Sequence, residues 1–265
     1  MLSPTVLVTG AGSGLGLGLA DLYARRGLAV IALDLTCGAP ARRRLEAAGR
    51  SGVYFAEADV RDDDAVRNAV TRGVQALGPL HIAINCAGIQ DAALFADLSP
   101  DAFRRVVDVN LIGSRNVAAA VLQHLRPGGH LVLVSSMAGL VGTYAYAAYC
   151  ASKFGVVGLA QVLRLELAPR GIAVSVVCPP EVNTPMVVEE RRSMLAPTRA
   201  LKAMTGTLEL DPAVREILAG IDKRRTVIVP GAAARRTALL TRILPRRAVE
   251  LVTDRVVRRA LAEGT

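Results

Sequence analysis

The chain has no tryptophan, and only five tyrosines and four phenylalanines in 265 residues. Its core must therefore come from Ala, Val, Leu and Ile, and hydrophobic types make up 52% of the sequence. That mixture is what a parallel sheet buried on both faces requires. Cysteine is scarce too: Cys37, Cys86, Cys150 and Cys178 are widely scattered and follow no metal-ligand spacing. They read as reduced thiols of a cytosolic protein, and no metal site is expected. No apolar run reaches the ~18 residues of a membrane span. A strand-like run begins at Thr5 with no basic segment or cleavage site before it, so the chain reads as neither secreted nor spanning.

Most of the chain also lacks net charge. The total of +9 resolves into +1 over residues 1–222, with 21 basic and 20 acidic side chains, and +8 over residues 223–265, with 11 and 3. A uniformly basic surface is excluded, and electrostatic arguments about partners concern the C-terminal segment alone. That segment contains no aromatic residue and no groove-reading motif, which sets aside a nucleic-acid partner.

Apolar runs bounded by turn signals alternate with helix-length segments. Thr5–Thr9, Ala29–Leu33, Val53–Ala56, His81–Asn85, His130–Ser135, Ile172–Cys178 and Thr226–Val229 read as strands. Such alternation implies right-handed crossovers and an α/β fold: a doubly wound parallel sheet of about seven strands with helices on both faces, in one domain. Ser99-Pro100-Asp101 is a helix start. The catalytic domain is expected over residues 1–230. Within it, residues 180–211 have the weakest periodicity and read as a lid over the site, and residues 231–265 form a basic amphipathic extension.

Directly after the first strand comes Thr9-Gly10-Ala11-Gly12-Ser13-Gly14-Leu15-Gly16, followed by a helical pattern. Glycines there permit a tight turn and let the backbone approach a pyrophosphate at the positive end of the helix. Asp34 closes the second strand, where a carboxylate accepts hydrogen bonds from a ribose diol and repels a 2′-phosphate. Its neighbours Leu35 and Thr36 carry no charge, so NAD is expected rather than NADP.

Tyr149 and Lys153 lie four residues apart in a segment, 147–167, that reads as one long helix, so they share a face. An ammonium beside a phenol lowers its pKa from ~10 and fits it for acid–base work. Tyr144 and Tyr146 have no lysine at that spacing.

With Asn85-Cys86-Ala87-Gly88, Asn110, Ser135-Ser136 and Pro179 in order between and after these motifs, the chain resembles the single-domain short-chain dehydrogenases/reductases over residues 4 to about 230. The resemblance implies that Tyr149 is the general acid or base. Lys153 would hold the nicotinamide ribose and depress the tyrosine pKa, and Ser136 would donate to the developing oxyanion. Asn110 would organise a helix irregularity and a water chain. It also implies cofactor contacts for Gly10, Ser13, Gly14, Leu15 and Gly16, for Asn85, Ala87 and Gly88, for Pro179, Val182 and Thr184, and for Asp59 and Val60 at the adenine. A homodimer or homotetramer through the helices bearing Asn110 and Tyr149 is implied as well.

Where the family commonly has Pro-Gly, this chain has Pro179-Pro180-Glu181-Val182-Asn183-Thr184-Pro185, so that loop must take another path. The double proline is similar to the 3-ketosphinganine reductase branch, whose members act on long lipid chains and usually prefer NADPH; Asp34 argues against that preference. The residues expected around the substrate, Gln90, Met137, Leu140, Val141, Tyr144, Tyr146, Pro180, Val182 and Met186, include no cation. A bulky lipophilic alcohol or ketone suits them, with a smaller or steroid-like alcohol as the other reading. In the tail, arginines flank an apolar face at 249, 252 and 256, and Pro245 divides two short helices. Such a segment either lies on an anionic membrane or docks on protein.

Overall fold

The computed structural model describes residues 3–192 and 194–263. Its strands are β1 (Thr5–Thr9), β2 (Ala29–Asp34), β3 (Val53–Glu57), β4 (Leu80–Asn85), β5 (Leu125–Val134), β6 (Ala173–Val177), β7 (Glu181–Val182), β8 (Thr207–Leu208) and β9 (Val227–Ile228). Between and after them run α1 (Gly14–Arg25), α2 (Ala39–Ala48), α3 (Asp63–Leu77), α4 (Pro100–Val107), α5 (Gly113–Leu122) and α6 (Ala147–Leu167). They are followed by α7 (Pro185–Glu190), α8 (Ala196–Ala203), α9 (Leu210–Asp222), α10 (Ala232–Ile243) and α11 (Arg246–Ala262).

Seven strands form one parallel sheet in the order β3-β2-β1-β4-β5-β6-β9. The Rossmann-type doubly wound sheet expected from the alternating runs is what forms. Its strands are apolar on both faces because each face carries a helix layer. Leu7, Ile31, Leu33, Leu131 and Leu133 point into a core with α3, α5 and α6. Their neighbours Val6, Val8, Val30, Ala32, Val132 and Val134 point into a second core with α1, α2 and α9. This is the period of two of a strand, with both phases buried. Leu7 is fully buried, so Leu7→Ala would cost about 2–5 kcal/mol.

The order reverses between β1 and β4, and a crevice opens there at the carboxyl ends of the strands. Two helix starts near it are capped by side chains: the Asp62 carboxylate accepts from Ala65 N at 2.9 Å, and Ser99 Oγ accepts from Ala102 N at 3.1 Å. Pro100 follows Ser99 at the first helical position.

Residues 180–211 fold as β7, α7, α8, β8 and the start of α9, with β7 and β8 paired in parallel as a separate two-stranded sheet. None of the first four exceeds eight residues, too short for an apolar stripe to repeat, which is why the periodicity is weak. Ser193, inside the stretch, lies outside the described residues. The double proline thus leads into the short strand β7.

The C-terminal segment forms α10 and α11, with Pro245 at the N-cap of α11. The 249, 252 and 256 face, which could lie on a membrane or dock on protein, turns partly toward protein, with Val252 47% exposed. α11 packs on α8, Val249 and Val256 are half-buried, and Val249 and Val252 line the central cavity. Leu239, Ile243 and Leu251 point outward instead, 56, 68 and 71% exposed.

Candidate active site

The loop between β1 and α1 turns on Gly10, at φ +66°. A Cβ at Gly16 would fall 2.0 Å from the Gly10 carbonyl oxygen, so only glycine lets α1 begin this close to the strand. Asp34, at the end of β2, reaches across: its Oδ2 accepts from Gly12 N at 2.7 Å. The carboxylate therefore fixes the glycine loop while it borders the cavity. Thr184, the residue before α7, packs its methyl group near Gly14 from the other side.

Behind the loop, Thr9 Oγ1 donates to Asn85 Oδ1 at 2.5 Å and accepts from Ala87 N at 3.2 Å. Asn85 Nδ2 donates to Ser114 Oγ at 2.8 Å, and Ser114 Oγ donates to the Asn110 carbonyl. Asn110 is fully buried in a π-helical turn, Asp108–Ile112, that joins α4 to α5. The wide turn frees its side chain for the loop after β4: Oδ1 accepts from Ile89 N and Nδ2 donates to Ile89 O, both at 2.8 Å. Nδ2 also lies 3.0 Å from Ser152 Oγ, which donates to the Tyr149 carbonyl at 2.8 Å. One chain of hydrogen bonds thus runs from the first strand to α6. A Cβ on Gly88 would meet Asn110 Oδ1 at 3.1 Å and Lys153 Nζ at 3.3 Å, so the backbone passes there with little room to spare.

On α6, Tyr149 and Lys153 share a face, with Lys153 Nζ 5.5 Å from the Tyr149 ring centre and donating to the Val134 carbonyl at 3.1 Å. Ser135 Oγ anchors α6 by donating to the Lys153 carbonyl at 2.8 Å. Ser136 begins the next turn, its Oγ accepting from Ala138 N.

Burial pushes the Lys153 ammonium down to about 8, against small opposing effects of the Cys86 and Cys178 thiols. Burial likewise pushes the Tyr149 phenol up, while its hydrogen bond with Ser136 and the positive charge of Lys202 pull it down. The sequence expectation of a lowered phenol is therefore reversed in the protein chain alone, because desolvation outweighs the favourable charges. Burial holds the Cys86 thiol at about 12, a weak nucleophile. Asp59 is held low by the Arg61 guanidinium, 2.6 Å away, so its carboxylate already has a partner.

All of the sequence-predicted site residues except Asn85 and Asn110 border one cavity of about 640 Å³; those two stand behind its wall and hold it. Among the residues read as substrate contacts, Leu140 packs into the core and Tyr144 uses its carbonyl to accept from Thr198 Oγ1, so neither lines the cavity. Lys202, outside that set, lines the cavity as well and adds a cation that the named substrate contacts lack. Ser114 and Ser152 were open to detection, four residues from Asn110 and three from Tyr149 on helices; Lys202 has no local signal. Among the described residues, no helix is long and apolar enough to cross a membrane.

The short chain dehydrogenase family model matches residues 4–195. The chain belongs to that family. It is an oxidoreductase of alcohol and ketone groups with a nicotinamide cofactor, and the glycine cradle fits such a group: a Cβ at Gly16 would close it. The chain is 37% identical over 221 residues to the 3-dehydrosphinganine reductase TSC10A of Arabidopsis thaliana, the match covering 81% of this chain and 67% of that one. It is 38% identical over 186 residues to the oxidoreductase UcpA of Salmonella typhimurium, covering 69% and 70%. A short chain dehydrogenase of Mycobacterium paratuberculosis, solved bound to NAD, superimposes with a TM-score of 0.78 at 28% identity, covering 86% of this chain and 96% of that one.

Proposed function

We propose that the chain interconverts a bulky lipophilic secondary alcohol and its ketone with NAD(H), using Tyr149 as the acid or base. The observation that carries this reading is the shape and lining of the cavity. Tyr149, Lys153 and Ser136 border one part of it, and Leu240, Leu244, Val249 and Val252 of the C-terminal helices give it a further apolar wall. A long apolar substituent would be accommodated along that wall while the reacting carbon meets Tyr149.

In this reading Gly10, Ser13, Gly14, Leu15 and Gly16 hold the pyrophosphate, Asp34 the adenosine ribose, and Asp59 and Val60 the adenine. Ala87, Gly88, Pro179, Val182 and Thr184 border the nicotinamide end. The bound cofactor supplies or receives the hydride. Ser136 donates to the substrate oxygen and Tyr149 gives or takes its proton, while Lys153 steadies the nicotinamide ribose. Asn110, through Ile89 and Ser152, keeps the loop after β4 and α6 in register. The relative named a 3-dehydrosphinganine reductase supports a long-chain keto lipid as the substrate class.

Two further properties belong to this reading. Phe154, Val162 and Leu165 on α6 are 46, 49 and 63% exposed, which supports a homodimer or homotetramer through that helix. The outward Leu239, Ile243 and Leu251, among the arginines of a +8 segment, support peripheral attachment to anionic lipid.

The test is NADH consumption with a long-chain 3-keto lipid, a steroid ketone and a short ketone, using the chain and its Tyr149→Phe variant. Turnover of the long-chain ketone that is lost with Tyr149→Phe is the expected result. Preference for the short ketone, or a fully active variant, overturns the reading.

A further inference from the structure

A second lysine stands near the reacting tyrosine. Lys202, on α8, lines the same cavity as Tyr149 and is 20% exposed in its side chain. It pairs with Glu181 at 3.3 Å and with Glu190, whose side chains are only 5% and 4% exposed. Glu190, at the end of α7, also accepts from Gln90 Nε2, and Glu181, on β7, accepts from Arg191 and from Thr207 Oγ1. The network thus clamps α7, α8 and β7 to the loop after β4, and it holds the ammonium in one place.

That place is defined relative to Tyr149. Lys202 Nζ is 5.1 Å from the Tyr146 ring centre, and that ring is 5.8 Å from the Tyr149 ring. The two distances bound the separation of the ammonium from the Tyr149 ring at about 11 Å. Tyr146, which contacts both, is itself 2% exposed, so the ammonium and the phenol share a largely buried wall of the cavity, where a charge is screened less than in bulk water.

We propose that Lys202 is a positioning residue for the reaction: clamped by Glu181 and Glu190 over Tyr146, its ammonium sets the electrostatic field in which Tyr149 releases and recovers its proton. This rests on Tyr149 being the acid or base.

The charged and titratable groups around the phenol come from several elements. Lys153 and Cys150 share its helix, Ser136 follows β5, and Glu181, Glu190 and Lys202 stand on β7, α7 and α8. Lys153 directs its ammonium at the Val134 carbonyl, and the Cys86 and Cys178 thiols beyond it are held neutral by burial, both at about 12. Lys202 and Glu181 line the cavity and Glu190 lies behind them, with Arg191 balancing Glu181 on the solvent side. Lys202, on α8, lowers the proton affinity of the phenol alongside the Ser136 hydrogen bond, whereas Lys153 stands on the phenol's own helix.

The test measures the phenol itself. In the NAD-saturated protein, the tyrosinate absorbance difference between the chain and its Tyr149→Phe variant gives the Tyr149 titration midpoint, which is then measured in a Lys202→Gln background. The midpoint should rise by about half a pH unit or more. In a Lys202→Arg background it should stay at the starting value, since the charge is retained. Because Lys202→Gln removes the cation beside the Glu190 carboxylate, Lys202→Gln/Glu190→Gln serves as the second variant, with a smaller rise in the same direction. An unmoved midpoint in both backgrounds overturns the proposal, as does a rise with Lys202→Arg equal to that with Lys202→Gln. Full turnover by Tyr149→Phe would instead overturn the acid–base reading, and the titration midpoint would still report on Lys202.

Discussion

Replacing Asp34 should change which nicotinamide cofactor the chain uses. The carboxylate borders the cavity at the end of β2 and accepts from Gly12 N at 2.7 Å. The neighbouring cations are already engaged: Arg42 is taken up by Glu57 at 3.2 Å and by the Phe55 ring at 4.7 Å, Arg61 by Asp59 at 2.6 Å, and Leu35 is 63% exposed and apolar. A 2′-phosphate brings about 1.5–2 negative charges. At an approach of roughly 5 Å and an effective dielectric of about 20, each unit of charge meets about 3 kcal/mol of repulsion from the carboxylate. Allowing for solvent at this half-exposed position, NAD(H) should be preferred by about 10²- to 10³-fold in kcat/KM. Asp34→Ser with Leu35→Arg removes the repulsion and supplies a phosphate partner, and should swing the ratio toward NADP(H) by at least that factor. Both activities will fall somewhat, because the variant also loses the charge-assisted bond to Gly12. The ratio is therefore the diagnostic, measured with NADH and NADPH against one ketone at fixed ionic strength. A native chain that uses both cofactors equally, or prefers NADPH, refutes the argument.

Gly16→Ala should weaken NADH binding by about 1–3 kcal/mol in a fluorescence titration while the far-ultraviolet spectrum is kept, because the new Cβ meets the Gly10 carbonyl at 2.0 Å; unchanged affinity would refute the cradle. His130, buried and bonded to Ser175 Oγ at 2.7 Å, is pushed down to about 4 by desolvation and by Arg224. The unfolded chain takes up its proton near ~6.5 and the folded chain does not, so about 3 kcal/mol of stability should be lost as pH falls from 6.5 to 4. Thermal unfolding of His130→Gln should show a flatter pH dependence, and equal slopes would refute the assignment. Leu239→Asp/Ile243→Asp/Leu251→Asp in the full chain should abolish co-sedimentation with anionic vesicles at low salt while leaving the fold intact. Binding that survives the triple change would show that these side chains do not meet the membrane.

Much of the molecule is legible in the sequence because its signals are local. The strands of the sheet announce themselves as apolar runs, since both faces are covered and neither phase of the alternation is polar. The glycine loop is readable because strand, turn and helix are consecutive. Tyr149 and Lys153 are paired by one helical turn, which needs no tertiary information. Asn110 is legible only as part of an ordered set of motifs, because nothing near it in sequence predicts the π-helical turn that frees its amide for Ile89 and Ser152.

Other features depend on distance in space. The 249, 252 and 256 stripe is a helical face that can meet lipid or protein equally well, and only the position of α8 beside α11 half-buries Val249 and Val256. The direction in which the Tyr149 phenol shifts is set by how completely the cavity walls exclude water, which no spacing encodes; burial outweighed the charges. Lys202, 53 residues beyond Tyr149, reaches the site because β7 pairs with β8 and draws α7 and α8 over the cavity. Composition and local periodicity determined the sheet, the glycine cradle and the Tyr149/Lys153 pair, whereas chain packing decided the electric field around that pair, because burial and charge act through space and not along the chain.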